Sequence, residues 1–407
     1  VPTSRTTVFG VETVDGPKDE DEFGSGRHKI HSMEAIDYTA LLAERSRQVE
    51  ASGVRQIFEL SKTLPDPIDL SIGQPDFDVP EPIKAAACAA IVAGRNGYTL
   101  TQGMGELRER LRAEVQRRFP DQKREVLVTS GTSGGLFLAM LALVNPGDEV
   151  VTTDPYFVAY PNHVALVGGR MVLVDTYPDF RLDPQRLEAA ITPRTKVVVF
   201  STPANPTGVT IDAEAARQIV EITLRRRIII VSDEIYRGFC YDHPPISPAQ
   251  FGDNVLVVEG FGKTYGMTGW RLGWVHGPPQ LVEEMAKLQQ FTYVCAPSMV
   301  QWAALTALDT DMSALVQTYR RKRDLMVEGL RDCYELVVPQ GAFYLFPRAP
   351  GGDATAFVQQ AIRQQLLIIP GRVFSRKDTH FRLSYAAPDA VLQRGLTVLR
   401  RLAGVGS

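Results

Sequence analysis

Apolar positions recur along this chain in two rhythms. Short runs rich in valine and isoleucine at Val126–Ser130, Glu149–Thr153, Met171–Val174, Lys196–Ser201, Ile228–Ser232, Val255–Glu259 and Gly273–His276 predict strands. Between them, 104–118, Leu136–Val144, 213–226 and 280–291 read as helices. Apolar runs that alternate with helices predict an α/β fold whose mostly parallel sheet is covered on both faces. Upstream, Met33 to Leu64 predicts one helix that stops at Leu64-Pro65-Asp66-Pro67, followed by a short strand in Ile68–Gly73. From about residue 311 the pattern turns to long charged helices with Gly341–Phe346 and Phe381–Tyr385 between them, which predicts a smaller α+β domain. The expected division is a small domain from 34–79 plus 311–407 and a large one over 80–310. Residues 1–33, with the run Lys18-Asp19-Glu20-Asp21-Glu22, predict a tail or an arm lying on a partner subunit.

Composition narrows the function classes. The 407 residues carry 44 Lys+Arg and 47 Asp+Glu, a net charge of −3, which argues against a nucleic-acid or anionic-membrane binder. The longest apolar run, Leu136–Val144, is too short to span a bilayer, so no membrane segment is expected. Cys88, Cys240, Cys295 and Cys333 show no Cys-x-x-Cys spacing, and are expected to be reduced and mostly buried in a cytoplasmic protein. The six histidines form no ligand pattern, so no metal is expected.

In open α/β sheets, ligands sit beyond the carboxyl ends of the strands. After Val126–Ser130 comes Gly131-Thr132-Ser133-Gly134-Gly135. Three readings fit it: an anion cradle at a helix N-terminus, a nucleophile elbow with Ser133, or a plain glycine-rich turn. After Lys196–Ser201 comes Pro203-Ala204-Asn205-Pro206-Thr207-Gly208, either a proline-rich turn or a rigid loop aiming the Asn205 amide. Asp233 and Tyr236 follow Ile228–Ser232, and Asp233 is either an N-cap or a buried carboxylate that needs a positive partner. After Val255–Glu259 come Lys263 and, eight residues on, Arg271; the glycine a P-loop requires five positions before Gly262 is replaced by Val257. A lysine in a dehydrated cleft suits Schiff-base chemistry, and an arginine suits a phosphate. One ligand explains the combination. Pyridoxal phosphate brings an aldehyde for Lys263, a phosphate for Arg271 and the glycine-rich segment, a ring nitrogen for Asp233 and a phenolic oxygen for nearby donors.

On these residues the chain resembles the class I aminotransferases of the fold type I pyridoxal-phosphate group, in the branch with aspartate, alanine and aromatic aminotransferases. The resemblance runs from about Val54-Arg55-Gln56-Ile57-Phe58 to the C-terminus. It rests on Leu70–Phe77, Tyr98-Thr99, Asn205–Gly208, Asp233–Tyr236, the 260–273 loop, Gly341–Tyr344 and Phe381–Tyr385. It implies a seven-stranded sheet and a ping-pong transfer of the amino group of an L-amino acid to a 2-oxo acid. Lys263 would form the Schiff base and then shuttle the proton, and Asp233 would hold the ring nitrogen protonated. Tyr236 and Asn205 would donate to the phenolic oxygen. Thr132, Ser133 and Arg271 would hold the phosphate, and Phe157 would stack on the ring. Arg382 would grip the substrate α-carboxylate with help from Asn205 and Gly73. Tyr98 would reach the neighbouring subunit's phosphate, which implies a homodimer with shared sites.

Three positions depart from the pattern. Gly260 stands where some relatives carry a phosphate-binding serine, Gly134-Gly135 replaces a bulkier pair, and Arg372 replaces a small residue. Arg372 is either solvated or a second anion contact for a dicarboxylate. Four other functions remain open. A pyridoxal-phosphate carbon–sulfur β-lyase or cyclopropane-forming synthase would use the same cofactor residues. A serine hydrolase would use Ser133, a later Asp and His380. A non-catalytic pyridoxal-binding regulator would need a DNA-binding helix-turn-helix, for which 1–33 is too short and too acidic.

Overall fold

The computed structural model describes residues 36–49, 53, 57, 59 and 62–405. The expected tail or arm over 1–33, and most of the Val54–Phe58 stretch, lie outside the described residues. The strands are β1 (Ile68–Asp69), β2 (Glu125–Ser130), β3 (Glu149–Asp154), β4 (Arg170–Asp175), β5 (Thr195–Ser201), β6 (Ile229–Asp233), β7 (Val255–Gly260), β8 (Leu272–Gly277), β9 (Tyr344–Leu345), β10 (Leu366–Leu367), β11 (Ile369–Pro370) and β12 (Phe381–Ser384). Seven of them form one sheet in the order β2-β8-β7-β6-β5-β3-β4. β3, β4, β5, β6 and β7 pair in parallel, while β8 runs antiparallel to both β2 and β7. This is the mostly parallel α/β sheet the alternation predicts.

Alternate residues of each strand feed two separate cores, which is why the strands read as unbroken apolar runs. On one face Val126, Val128, Val198, Ile230 and Val257 pack with the helices Glu81–Val92, Gly105–Arg118, Ala213–Arg226 and Ser298–Leu308. On the other, Leu127, Val197, Val199, Val231 and Val258 pack with Gly131–Leu143 and Pro279–Thr292. A third core joins β1 to the C-terminal part of the chain: Ile68, Leu70, Tyr319, Phe343, Leu383 and Leu392 are all buried together. There β12 pairs antiparallel with β9 and β11, and β1 pairs in parallel with β10.

Two expectations are corrected. The single helix expected over Met33–Leu64 is broken. Tyr38–Leu41 and Glu44–Gln48 are separate short helices, and the residues between them, Leu42 and Ala43, are extended. Neither short helix buries a residue, so no packing holds a continuous helix together. The cysteines are less buried than expected. Cys88 is exposed on the outer side of a helix whose buried residues are Ile83, Ala87 and Ala90, and the other three are part-buried. Among the described residues no helix is long and apolar enough to cross a membrane.

The glycine-rich segment is itself the first turn of a helix, Gly131–Leu143, not a turn ahead of it. Its glycines permit close approach to the sheet. Gly131 has φ +71°, and a Cβ on Gly135 would lie 2.7 Å from Val275 Cγ1. The departure at Gly135 is therefore one of helix-to-sheet packing, whereas a Cβ on Gly134 would make only ordinary contacts, 3.5 Å from Ser130 Cβ and 3.6 Å from the Tyr293 ring. Gly273 on β8 is the complement, because a Cβ there would lie 2.6 Å from Gly131 C and from Thr132 N. Backbone atoms cannot yield as a side-chain tip does. Gly273→Ala is expected to cost about 1–3 kcal/mol in denaturant unfolding. Gly269→Ala, which meets nothing within 4 Å, is expected to stay within about 0.5 kcal/mol of the parent.

Candidate active site

The register of the sheet brings the candidate residues to one edge. Ser201 on β5 is level with Asp233 on β6, which is level with Val258 on β7, and Gly260 on β7 faces Gly273 on β8. The loops after these ends carry Asn205, Tyr236, Lys263 and Arg271. Together with the start of helix Gly131–Leu143, they line a cavity of about 310 Å³. Thr132, Ser133, Phe157, Asn205, Asp233, Tyr236, Lys263, Arg271, Gly73 and Arg382 all line it. Tyr98 does not; its side chain is 88 % exposed. Arg372 is exposed and is not among the lining residues, which leaves the solvated reading in place for this chain.

Lys263 sits in this cavity with its Nζ donating to the Gly73 carbonyl and facing the Tyr236 and Phe343 rings at 5.7 and 5.8 Å. Burial, with repulsion from Arg382 and Arg271, pushes its amine down to about 8. A sizeable neutral fraction near neutral pH suits attack on a carbonyl. Asp233, 3 % exposed, accepts from Tyr160 Oη at 3.0 Å and from the Ile235 N–H at 3.3 Å. Burial outweighs both and pushes the carboxyl up to about 6. It is the N-cap of no helix, so the buried-carboxylate reading holds.

Arg382 on β12 is 2 % exposed. Its Nη1 donates to Asn205 Oδ1 at 3.0 Å and its Nη2 to the Ser71 carbonyl at 2.7 Å, while Nε is buried without a partner. The Tyr344 and Phe374 rings each lie 4.6 Å from the guanidinium. A buried guanidinium without a carboxylate partner is set up for an incoming anion. Arg271 holds the Thr268 carbonyl at 2.9 Å and crowds Gly131, where a Cβ would lie 2.6 Å from its Nη2. The helix beginning at Gly131 has no side-chain cap on its first N–H groups. An arginine beside an uncapped helix N-terminus is a site for a phosphate. The departure at Gly260 has a steric cause: a Cβ there would lie 2.9 Å from Thr132 Cγ2 and 3.1 Å from Ile235 Cδ1. A lysine, a buried acid and two anion sites in one cavity fit the chemistry of pyridoxal phosphate with a carboxylate-bearing substrate.

Tyr160 and Tyr344 have no place in the sequence reading of the site. Tyr160 stands three residues after Phe157 and meets its ring edge-on at 5.5 Å, yet nothing local marks it as the partner of Asp233. Tyr344 lies in the quoted Gly341–Tyr344 stretch, but reaches the cavity only through the pairing of β9 with β12. The hydrolase triad is not assembled. His380 stacks on Phe346 and bonds Thr379, and it does not line the cavity that holds Ser133. A larger cleft of about 640 Å³ opens behind Ile235 and Gly260, but its arginines Arg110, Arg117, Arg118 and Arg237 are each paired with an Asp or Glu.

Fold and site together define an α/β protein whose cavity at the carboxyl edge of the sheet gathers a lysine, a buried acid and two arginines. The family model for aminotransferase class I and II matches residues 65–399. A probable aspartate aminotransferase of Methanocaldococcus jannaschii is 33 % identical, covering 89 % of this chain and 100 % of the relative. The aspartate/prephenate aminotransferase of Thermus thermophilus is 35 % identical over 85 % of this chain and 93 % of its own length. The solved aspartate aminotransferase from Thermus thermophilus with maleate superposes with a TM-score of 0.83 at 34 % identity, covering 89 % of this chain and 99 % of that one. The chain belongs to the class I and II aminotransferase family. It is a pyridoxal-phosphate-dependent transferase of amino groups.

The buried acid gives a test in cofactor-free protein. A carboxyl near 6 when folded and near 3.8 when unfolded binds more protons folded than unfolded between those values. Stability therefore falls as pH rises from about 4 to about 6, by about 3 kcal/mol in all. Asp233→Asn keeps an acceptor for Tyr160 and removes the charge. The stability difference between wild type and Asp233→Asn in urea is expected to move against wild type across that window and to stay flat above pH 7.

Proposed function

We propose that the chain moves the amino group of an L-amino acid of the aspartate class onto a 2-oxo acid, with pyridoxal phosphate held in the cavity around Lys263. The observation that carries this reading is the convergence of Lys263, Asp233 and Arg382 on one cavity. The bound cofactor supplies the aldehyde that takes the amino group and a ring that draws electrons away from the substrate Cα. Asp233 holds a proton on the ring nitrogen, and Tyr236 and Asn205 donate to the phenolic oxygen. Arg271, Thr132, Ser133 and the N–H groups of their helix take the phosphate, and Phe157 covers one ring face. Arg382 clamps the α-carboxylate with Asn205 and the Gly73 backbone, which aims the Cα–H at Lys263. Lys263 Nζ then takes the Cα proton. The aspartate preference draws on the names of the relatives, not on a second cation in the cavity.

The same proposal includes the division into a domain over 80–310 and one from 34–79 plus 311–407, supported by the separate core shared by β1 and the C-terminal elements. It also includes a homodimer in which Tyr98 reaches the partner's phosphate. Supporting that is the exposure of Tyr98 with Val92, Leu100 and Phe291, which are 88, 87, 65 and 86 % exposed.

Three outcomes are expected. Lys263→Ala loses the lysine-linked absorbance and several powers of ten in turnover; near-normal transamination by that variant would sink the reading. Arg382→Lys keeps the charge but loses the planar fork. That contact is worth on the order of 2–4 kcal/mol, so kcat/KM falls about 30- to 1000-fold, alike for aspartate, alanine and phenylalanine. Arg372→Ala, outside the cavity, leaves the ranking of those substrates unchanged. A half-reaction screen, with amino acids added singly and conversion to the pyridoxamine form followed, ranks the substrates directly.

A further inference from the structure

Tyr236 and Tyr344 are two buried phenols whose hydroxyl oxygens lie 2.8 Å apart, with ring centroids 5.6 Å apart and nearly perpendicular. Tyr344 is 0 % exposed and Tyr236 4 %. They meet in one apolar core but are carried by distant parts of the chain. Tyr236 follows β6 of the large sheet, and Tyr344 is the first residue of β9. A Cβ on Gly73 would lie 2.6 Å from the Tyr344 hydroxyl, so the glycine makes room for that oxygen. The charged groups facing the pair are Arg382, whose guanidinium stands 4.6 Å from the Tyr344 ring, Lys263, 5.7 Å from the Tyr236 ring, and Asp233.

Each hydroxyl has one hydrogen, so the bond between them has a direction. If Tyr236 gave its hydrogen to Tyr344, it would have none left for a ligand. Burial raises both phenols and Arg382 favours the anion of each, but Arg382 lies against the Tyr344 ring and is the chief opposing effect there, which makes Tyr344 the stronger acid of the two. Burial holds Tyr236 well above its ordinary range, with Tyr344 adding to the effect. Between two neutral phenols, the stronger acid donates. We propose that Tyr344 is a positioning residue that donates to Tyr236 Oη and so turns the Tyr236 hydrogen into the cavity, toward the phenolic oxygen of the bound cofactor. This rests on the reading of the cavity given under the proposed function. Tyr344 acts through Tyr236, and a donated bond strengthens the one passed on by about 10–30 %.

A donor on the phenolic oxygen draws electron density from it and weakens its hold on the proton of the adjacent lysine nitrogen. Losing that donor therefore raises the apparent pKa of the lysine-linked chromophore. The experiment is a spectrophotometric pH titration of holoenzyme for wild type, Tyr236→Phe, Tyr344→Phe and the double variant. Tyr236→Phe is expected to raise the apparent pKa by about 1–2 pH units. Tyr344→Phe is expected to raise it by about 0.1–0.6 pH unit, and the double variant to match Tyr236→Phe alone. An unchanged or lowered value in Tyr344→Phe overturns the proposal, since a lowered value means the bond runs the other way. So does a rise that adds to that of Tyr236→Phe, because Tyr344 would then act by another route. If Tyr344→Phe does not load cofactor, Gly73→Ala displaces the same hydroxyl and must raise the value only when Tyr236 is present. Lys263→Ala in the same series separates the two claims. A chromophore that survives it refutes the proposed function, whereas a lysine-dependent chromophore indifferent to Tyr344 refutes only the inference.

Discussion

The site depends on positive charge that the protein leaves without counterions. Lys263, Arg271 and Arg382 line one small cavity, and Asp233 is the one carboxylate among its lining residues. Arg271 is exposed, but Lys263 and Arg382 are not; burying an unpaired cation costs several kcal/mol, so their arrangement persists only where the rest of the fold is stable enough to hold it. The visible consequences are the Lys263 amine pushed down to about 8 and the Arg382 guanidinium pulled below its usual range by burial. Two anions and a carbonyl would relieve all three cations at once.

The contrast lies one residue away. Glu234, next to Asp233, accepts from Ser232 Oγ at 2.9 Å and Ser247 Oγ at 2.5 Å, and faces Arg237 at 3.3 Å and Arg118 at 3.8 Å. Arg118 also holds Glu259 at 2.7 Å. Behind the strand ends, opposite charges are matched and the backbone of β6 and β7 is tied to the helix that carries Arg118. In front of them they are not. The side chain of Asp233 points to the unmatched side, held by Tyr160, and that of Glu234 to the matched one. A change of side between successive residues is what a strand end provides.

Most of the sheet was legible because both of its faces are buried. Val126–Ser130, Lys196–Ser201 and Val255–Glu259 differ from the observed strands by a residue at most at either end. The cavity residues were legible where each follows a strand directly, as Asn205, Asp233 and Lys263 do. What was not legible depends on contacts distant in sequence. Tyr160 meets Asp233 across 73 positions, and Tyr344 meets Tyr236 across 108. The start of helix Gly131–Leu143 was misplaced because glycines read as a turn. They are tolerated inside the helix because β8 packs where side chains would stand. The segment before Leu64 misled in the other direction. Its periodicity is helical, but Tyr38–Leu41 and Glu44–Gln48 bury no residue, and there the pattern does not hold the backbone in one helix.

The geometry also explains why Arg382 is held by neutral partners. Asn205 Oδ1 and the Ser71 carbonyl fix two of its nitrogens without cancelling its charge. A carboxylate in either place would fix the side chain as well, but an incoming α-carboxylate would then have to displace it or sit beside it as a like charge. Neutral acceptors orient the guanidinium and leave its field free. The two partners come from different parts of the fold, Asn205 from the loop after β5 and Ser71 from the segment after β1. The Lys263–Gly73 bond likewise joins a loop of the large sheet to the segment after β1, and the Tyr236–Tyr344 bond joins the loop after β6 to β9. Lys263, Arg382 and Tyr236 are thus each positioned by a contact between the large sheet's loops and the elements around β1, β9 and β12, whereas Arg271 is held by its own loop. A defect where those parts meet would reach the carboxylate clamp, the lysine and the phenol pair together.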